Sequence, residues 1–226
     1  MPEESSPRGA TTGNTYIDLG ATTREAYEIS AKSRALARSE IGDRTPEDRI
    51  RQRCSVAVGD FAMAGLLRFC HEPVTAGTKA IGNGALIVTD IRMVQVGIQK
   101  RGHSSEIICA LDHAGGAGDR GITRSSAGLL ALADRLPGSV LVIGNAPSAL
   151  LTACDLIRGG AAPALVVGTP VGFVNAAESK EILRSLDVPS ITTEGTRGGT
   201  PVAVAAVNEI ITMVAERVSR AEGAGR

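Results

Sequence analysis

The chain has 226 residues, and its 24 Lys plus Arg balance 24 Asp plus Glu, so no long-range field draws nucleic acid or an acidic membrane surface. Aromatic residues make up 2% and Trp is absent, which removes the stacking platforms of single-strand binders. The length suits one α/β domain with a sizeable core of Ala, Val, Ile and Leu, the usual filling of a buried parallel sheet.

Residues 1–14 are rich in Ser, Thr, Gly and Pro and are expected to be a disordered lead. Residues 15–220 form the single expected domain, and 221–226 a disordered tail. No secretory leader opens the chain, and no apolar run approaches a membrane span. Cys54, Cys70, Cys109 and Cys154 contain no CxxC pair, so neither zinc nor thioredoxin chemistry is signalled. They read as reduced, buried thiols of a cytoplasmic protein.

In chain order, Thr22-Thr23-Arg24-Glu25 predicts a capped helix running to about Ile41. Thr45-Pro46-Glu47-Asp48 predicts a second, from Pro at its first position to about Phe69. Candidate strands follow at 86–89, 107–111, 140–144, 165–168 and 190–193. Helical patterns lie between and after them at 124–135, 147–158, 178–186 and 201–218. The alternation predicts parallel crossover units with helices on both faces of one sheet. Ligands of such sheets bind at the carboxyl ends of the strands. Those ends carry Asp90, Asp112, Asn145, Thr169-Pro170 and Glu194-Gly195, five polar ends that would make a pocket.

Gly144-Asn145-Ala146-Pro147-Ser148-Ala149-Leu150 joins a strand to a helix. It is either a helix start with free N–H groups for a ligand or a plain turn with Asn145 as its cap. Gly195-Thr196-Arg197-Gly198-Gly199-Thr200 combines a cation, pliant backbone and a hydroxyl at a helix start. That set suits a carboxylate or phosphate; otherwise it is a connector with a solvated Arg. The lone Gly82-Asn83-Gly84 precedes its strand and reads as a turn. Glu178-Ser179-Lys180 opens a helix after an odd loop, either as cap and surface charge or as a substrate-holding group beside the pocket. His71, His103 and His113 share no metal-ligand spacing and read as structural, with His71 near the end of the second helix and His113 just past a strand end.

Taken together, these segments resemble the precorrin-8X methylmutase family, also called cobalt-precorrin-8 methylmutase. The resemblance runs from about Tyr27 to about Asn208. It is carried by GNAPSAL (144–150), PVGFVNAAESK (170–180) and GTRGGTPVAVAAVN (195–208), with support from RCSVAVGDF (53–61), TDIRMVQVGI (89–98) and TRSSAGL (123–129). It implies a flavodoxin-like sheet with added N-terminal helices, a homodimer, and no cofactor. The implied reaction, in cobalamin biosynthesis, moves a methyl group from C11 to C12 of a tetrapyrrole-derived macrocycle, as a [1,5] shift assisted by a histidine.

The resemblance also implies site residues. Tyr27 and Ser30 match a pocket-lining Tyr-x-x-Ser pair, one helical turn apart. Arg124 matches a substrate-contacting arginine, suited to the acetate and propionate arms of the macrocycle. The family pattern R-x-x-H-x-x-G-D-F reads here with Val56 at the histidine, and valine neither donates nor accepts a proton. Gln99 stands where a pocket threonine is implied, and Ala31 where Phe is usual. The expected substrate site therefore comprises Tyr27, Ser30, Val56, Gln99, Arg124, Asn145, Ala146, Glu178, Ser179, Lys180 and 195–200. The expected activity is a methylmutase-like isomerisation of a carboxylated tetrapyrrole. The alternatives are a member redirected to rearrange or cyclise another small molecule in secondary metabolism, and a non-catalytic tetrapyrrole binder.

Overall fold

A computed structural model describes residues 23–115 and 121–224. The lead expected over 1–14 lies outside the described residues. Helix α1 (Arg24–Ile41) starts where Thr23 Oγ1 accepts the Ala26 N–H at 3.2 Å. Helix α2 (Pro46–Val58) starts on a capping box: Thr45 Oγ1 accepts the Asp48 N–H while the Asp48 carboxylate accepts the Thr45 N–H.

The second helix does not continue to Phe69. Gly59 turns left-handed at φ 66, and the N–H groups of Gly59 and Asp60 donate back to Val56 and Ser55 at 3.3 and 3.1 Å, which closes the helix. A short helix α3 (Met63–Leu66) then leads into strand β1 (Leu67–Cys70). His71 thus follows a strand, with φ 57 and Nδ1 3.3 Å from the Asp187 carboxylate.

The remaining elements are α4 (Pro73–Gly82), β2 (Ile87–Thr89), α5 (Arg92–Gly97), β3 (Ile107–Cys109), α6 (Arg124–Ala131), β4 (Val140–Ile143), α7 (Pro147–Arg158), β5 (Leu165–Gly168), α8 (Ala176–Arg184), β6 (Ser190–Thr193) and α9 (Thr200–Ala224). The sheet order is β1-β6-β5-β4-β2-β3. Strands β2 to β6 are parallel, and counted among themselves they run 2-1-3-4-5, the flavodoxin-like order. Strand β1 adds an antiparallel edge, pairing Leu67 with Thr193 and Cys70 with Ser190, so the sheet is mixed where a parallel one was expected.

Strand side chains alternate between two cores. Ile87, Val140, Val142, Leu165, Val167 and Ile191 face α4, α5, α9 and the end of α2. Val88, Leu141, Ile143 and Val166 face α6, α7 and α8. Helices α4 and α5 were not anticipated from the sequence. Helix α9 extends six residues beyond the expected 218, to Ala224; residues 225–226 of the expected tail lie outside the described residues. All four cysteines are free; burial pushes the Cys54 thiol up to about 12 and Cys154 to about 11.

Candidate active site

The carboxyl ends of β2 and β4 flank the point where strand order reverses, the usual ligand crevice of such sheets. Here the chain fills it itself. Asp90, fully buried, accepts the N–H groups of Gly144, Asn145 and Ala146 at 3.2, 2.9 and 3.0 Å. Burial raises its carboxyl above the usual range, and these donors oppose the rise. The N–H groups of Asn145 and Ala146 expected to await a ligand are therefore taken. Nor does Asn145 cap α7: that position falls to Ala146, without a side-chain bond. A methyl at Gly144 would lie 3.0 Å from the Thr200 Cα and 2.9 Å from Val94 Cγ2, so only glycine lets the two candidate loops touch. Arg124 opens α6 on the exposed side of the same edge. Its neighbour Thr123 is hydrogen-bonded to Ser148 at 2.9 Å, which joins α6 to the start of α7.

The 195–200 loop is tied from three sides. Gly199 N–H donates to the Thr169 carbonyl at 2.6 Å, and Gly172 N–H to the Thr196 carbonyl at 3.1 Å. Lys180, expected to face substrate, is fully buried. Its Nζ donates to Thr193 Oγ1 at 3.0 Å and to the Arg197 carbonyl at 2.8 Å, and burial pulls its ammonium down to about 8. Ser179, also fully buried, donates to the Ala176 carbonyl at 3.1 Å. Glu178 alone of the trio is exposed. The Arg197 guanidinium, half exposed, pairs with Asp60, just past α2, and holds that carboxyl below its usual range. Gly195 and Gly198 serve the loop's turns; a side chain at Gly198 would collide with the Thr169 carbonyl oxygen at 2.3 Å.

A second feature lies one turn before Asp60. Between α1 and α2 runs a cleft of ≈ 470 Å³ lined by Ile29, Ser30, Ser33, Arg34, Arg53 and Val56, among others. The spacings Ser30/Ser33 and Arg53/Val56 place each pair on one helix face. Under the cleft, Glu209 of α9 is fully buried and gathers three guanidinium groups: Arg34 Nη2 at 2.5 Å, Arg49 Nε at 2.8 Å and Arg53 Nη1 at 3.2 Å. Arg49 also pairs both Nη atoms with Glu216, at 2.8 and 2.9 Å. Of the expected site residues, Ser30 and Val56 meet in this cleft. Tyr27 lies on α1 between the lining residues Ala26 and Ile29, half exposed, and is not itself part of the lining. Gln99 reaches it only indirectly: its Nε2 donates to the Asn208 carbonyl, which also accepts Arg53 Nη1, both at 3.2 Å.

The sequence model of the family described as "CbiC: Precorrin-8X methylmutase" matches residues 28–213. The chain belongs to the precorrin-8X methylmutase family. It is 39% identical over 206 residues to the "Cobalt-precorrin-8 methylmutase" of Methanocaldococcus jannaschii, covering 85% of this chain and 96% of that protein. It is 38% identical over 200 residues to the "Precorrin-8X methylmutase" of Pseudomonas aeruginosa, covering 84% of this chain and 96% of the relative. The chain spans 41% of the longer "Cobalamin biosynthesis protein CbiHC" of Archaeoglobus fulgidus, at 37% identity over 85% of its own length. The solved "Precorrin-8x Methyl Mutase from Thermus Thermophilus" superposes with a TM-score of 0.78 at 36% identity, over 84% of this chain and 97% of that one.

The family match spans both the cleft and the strand-end loops. Reading the sequence missed Arg34 in the cleft and Glu209 beneath it, quoted Arg53 only as part of the family pattern, and placed Asp90 in a pocket where it instead accepts the chain's own N–H groups. One sign of Glu209 was available. A carboxylate inside the apolar run Val202–Val214 of a buried helix requires cationic partners. Among the described residues no cluster of His, Cys, Asp and Glu could hold a metal, and no helix is long and apolar enough to cross a membrane.

Proposed function

We propose that the protein is a precorrin-8X methylmutase-like isomerase of cobalamin biosynthesis, shifting a methyl group within a carboxylated tetrapyrrole-type substrate. The observation that carries this reading is the family match over 28–213, whose span includes a cleft in which Ser30 and Val56 meet as the resemblance implies. An intramolecular shift needs no second reactant. What the protein must supply is a constrained conformer and groups that hold the arms of the macrocycle. Arg124, exposed at the start of α6 and without a hydrogen bond or ion pair among the described residues, is proposed to take one carboxylate. The test is to incubate the protein with precorrin-8X and follow the spectrum of hydrogenobyrinic acid. No conversion over the uncatalysed rate overturns the assignment.

Val56 supports a second reading. It is 40% exposed and lines the cleft, where the named lining residues include no histidine or carboxylic acid, so none of them supplies an imidazole or a carboxyl as general acid. A member redirected to another rearrangement fits that observation. Homodimerisation is proposed on Ile29 and Leu36, exposed at 58% and 62% on one face of α1, and a monomeric mass by light scattering refutes it. A cytoplasmic location is supported by the four free cysteines.

A further inference from the structure

A second cavity, of ≈ 340 Å³, opens at the other end of α2, between the α1–α2 turn, the start of α4 and the end of α9. It shares no lining residue with the cleft, and Pro46 in its wall stands about 15 Å along the helix axis from Val56. Pro46, Val74 and Met213 make its apolar side, the last two only 5% and 7% exposed. The carboxylates in its lining are already held. Asp43 pairs with Arg38 at 3.0 Å, and Glu216 takes both Nη atoms of Arg49 at 2.8 and 2.9 Å. Arg44, from the turn before α2, and Arg217, from α9, line the same cavity. Both are exposed, and neither side chain has a hydrogen bond or ion pair among the described residues. The nearby Arg38, Arg49 and Arg51 each hold a carboxylate. At this cavity, then, two elements each bring a guanidinium for which the lining offers no spare anion.

Like charges on one cavity repel, and an anion bound between them replaces that repulsion with charge-assisted hydrogen bonds. A carboxylate brings one charge, enough for one arginine. A phosphate monoester brings about −1.5 to −2 at neutral pH and three acceptor oxygens, which match two guanidinium forks. The cavity also offers more than a phosphate needs: its volume falls in the roughly 300–1,000 Å³ range of small-molecule sites, and one side is apolar. We infer that this cavity is a second ligand site, taking a small phosphate monoester. Arg44 and Arg217 hold the phosphate, and the apolar body of the ligand lies on Pro46, Val74 and Met213. The wall behind is fixed in advance, because Arg49, paired with Glu216, also donates to the buried Glu209 at 2.8 Å. Little of it has to be ordered on binding. The site does not depend on the methyl shift.

The experiment is calorimetric titration of the full chain with phenyl phosphate, in Tris chloride at low salt and about pH 8, well above the second phosphate pKa of about 6. Saturable binding at one site per chain is expected. Inorganic phosphate, which lacks the apolar contact, should bind roughly tenfold or more weakly. Arg44→Met and Arg217→Met should each weaken phenyl phosphate roughly tenfold or more, the usual effect of losing a hydrogen bond to a charged group. Arg124→Met should leave the affinity as it is. Both cavity arginines are exposed, so their replacement spares the core. Should either variant fail to fold, Thr75→Asp and Thr75→Asn decide. Thr75 is exposed, lines the cavity and sits in the first turn of α4, where a carboxylate is favoured. The aspartate puts a negative charge beside the phosphate and should abolish binding, whereas the isosteric asparagine should retain it. The inference is overturned by any of four results: no saturable binding of phenyl phosphate to wild type, inorganic phosphate binding as tightly, affinity unchanged in both arginine variants or in Thr75→Asp, or binding lost in Arg124→Met.

Discussion

Arg34 and Glu209 stand 175 residues apart in the chain and meet at 2.5 Å, the Arg34 side chain 9% exposed and the glutamate fully buried. The pair fixes α1 against α9 and so defines one wall of the cleft. Removing one member of a buried ion pair costs about 3–5 kcal/mol, because its partners keep their desolvation penalty without compensation. Glu209→Ala should therefore lower the midpoint of urea unfolding markedly, and Glu209→Gln less so. An unchanged midpoint for Glu209→Ala would show that the cluster contributes nothing to stability.

Asp90 should matter as an acceptor. Asp90→Ala leaves the N–H groups of Gly144, Asn145 and Ala146 without their acceptor, that of Gly144 in a buried position. Each orphaned buried donor costs about 1–3 kcal/mol, so this variant should be among the most destabilised single substitutions at the sheet's carboxyl edge. Asp90→Asn keeps one oxygen and should fall between it and wild type. Denaturant unfolding of the three proteins checks the order, and a fully stable Asp90→Ala refutes it.

Lys180 predicts a pH dependence with a definite sign. Burial pulls its ammonium down to about 8 in the folded protein, against 10.5 for a free lysine side chain. Between those values the unfolded chain binds the proton and the folded one does not, so Lys180's contribution to stability rises with pH across that window and is flat below it. The limiting slope is about 1.4 kcal/mol per pH unit. The difference in unfolding free energy between wild type and Lys180→Met should shift in favour of wild type from pH 8 to pH 10. A difference independent of pH would place the proton on Lys180 throughout.

Val56→His introduces an imidazole into a cleft whose named lining holds none. If general-acid assistance limits the methyl shift, the variant should convert precorrin-8X faster than wild type, within the roughly 10²–10⁴-fold range of such catalysis. Its rate should fall as pH rises past about 6.5, where imidazolium is lost. A wild type that is already fast, with no gain from histidine, would mean that constraint of the substrate suffices.

The sequence disclosed the elements whose periodicity and caps are local. Thr23 and Thr45 mark their helices, and strands β4, β5 and β6 are short apolar runs bounded by turn residues. The segment 59–70 was misread because Leu66, Leu67 and Phe69 continue an apolar pattern past Gly59, and a four-residue strand held by β6 has no local mark. Helix α4 escaped for a related reason: Gly77 weakens its helical pattern, yet the glycine is needed because a methyl there would lie 2.7 Å from Leu165 Cδ2. The candidate site was half legible. Residue types in 144–146, 178–180 and 195–200 were read correctly as unusual, but their partners are the chain's own groups: Asp90, Thr193, Asp60 and the carbonyl of Thr169. A polar residue at a strand end looks the same in sequence whether it waits for a ligand or braces a loop. The resemblance already implied Ser30 and Val56 for one pocket, but its charged side was not legible, because Arg34 and Arg53 acquire meaning only once Glu209 lies between them.

The 25-residue helix α9 supplies Asn208, Glu209, Thr212 and Glu216, and with them, among the described residues, every side-chain acceptor of Arg53 and both carboxylates of Arg49. Those acceptors leave the ribosome long after the arginines they hold. Separations of 155 to 175 residues, at about 5–20 residues per second, correspond to a wait on the order of ten to thirty seconds. Through that interval α1 and α2 carry guanidinium groups with no acidic counterpart from α9. A chain interrupted anywhere before α9 would contain all the lining residues of the cleft and lack the α9 acceptors that hold Arg49 and Arg53 beneath it.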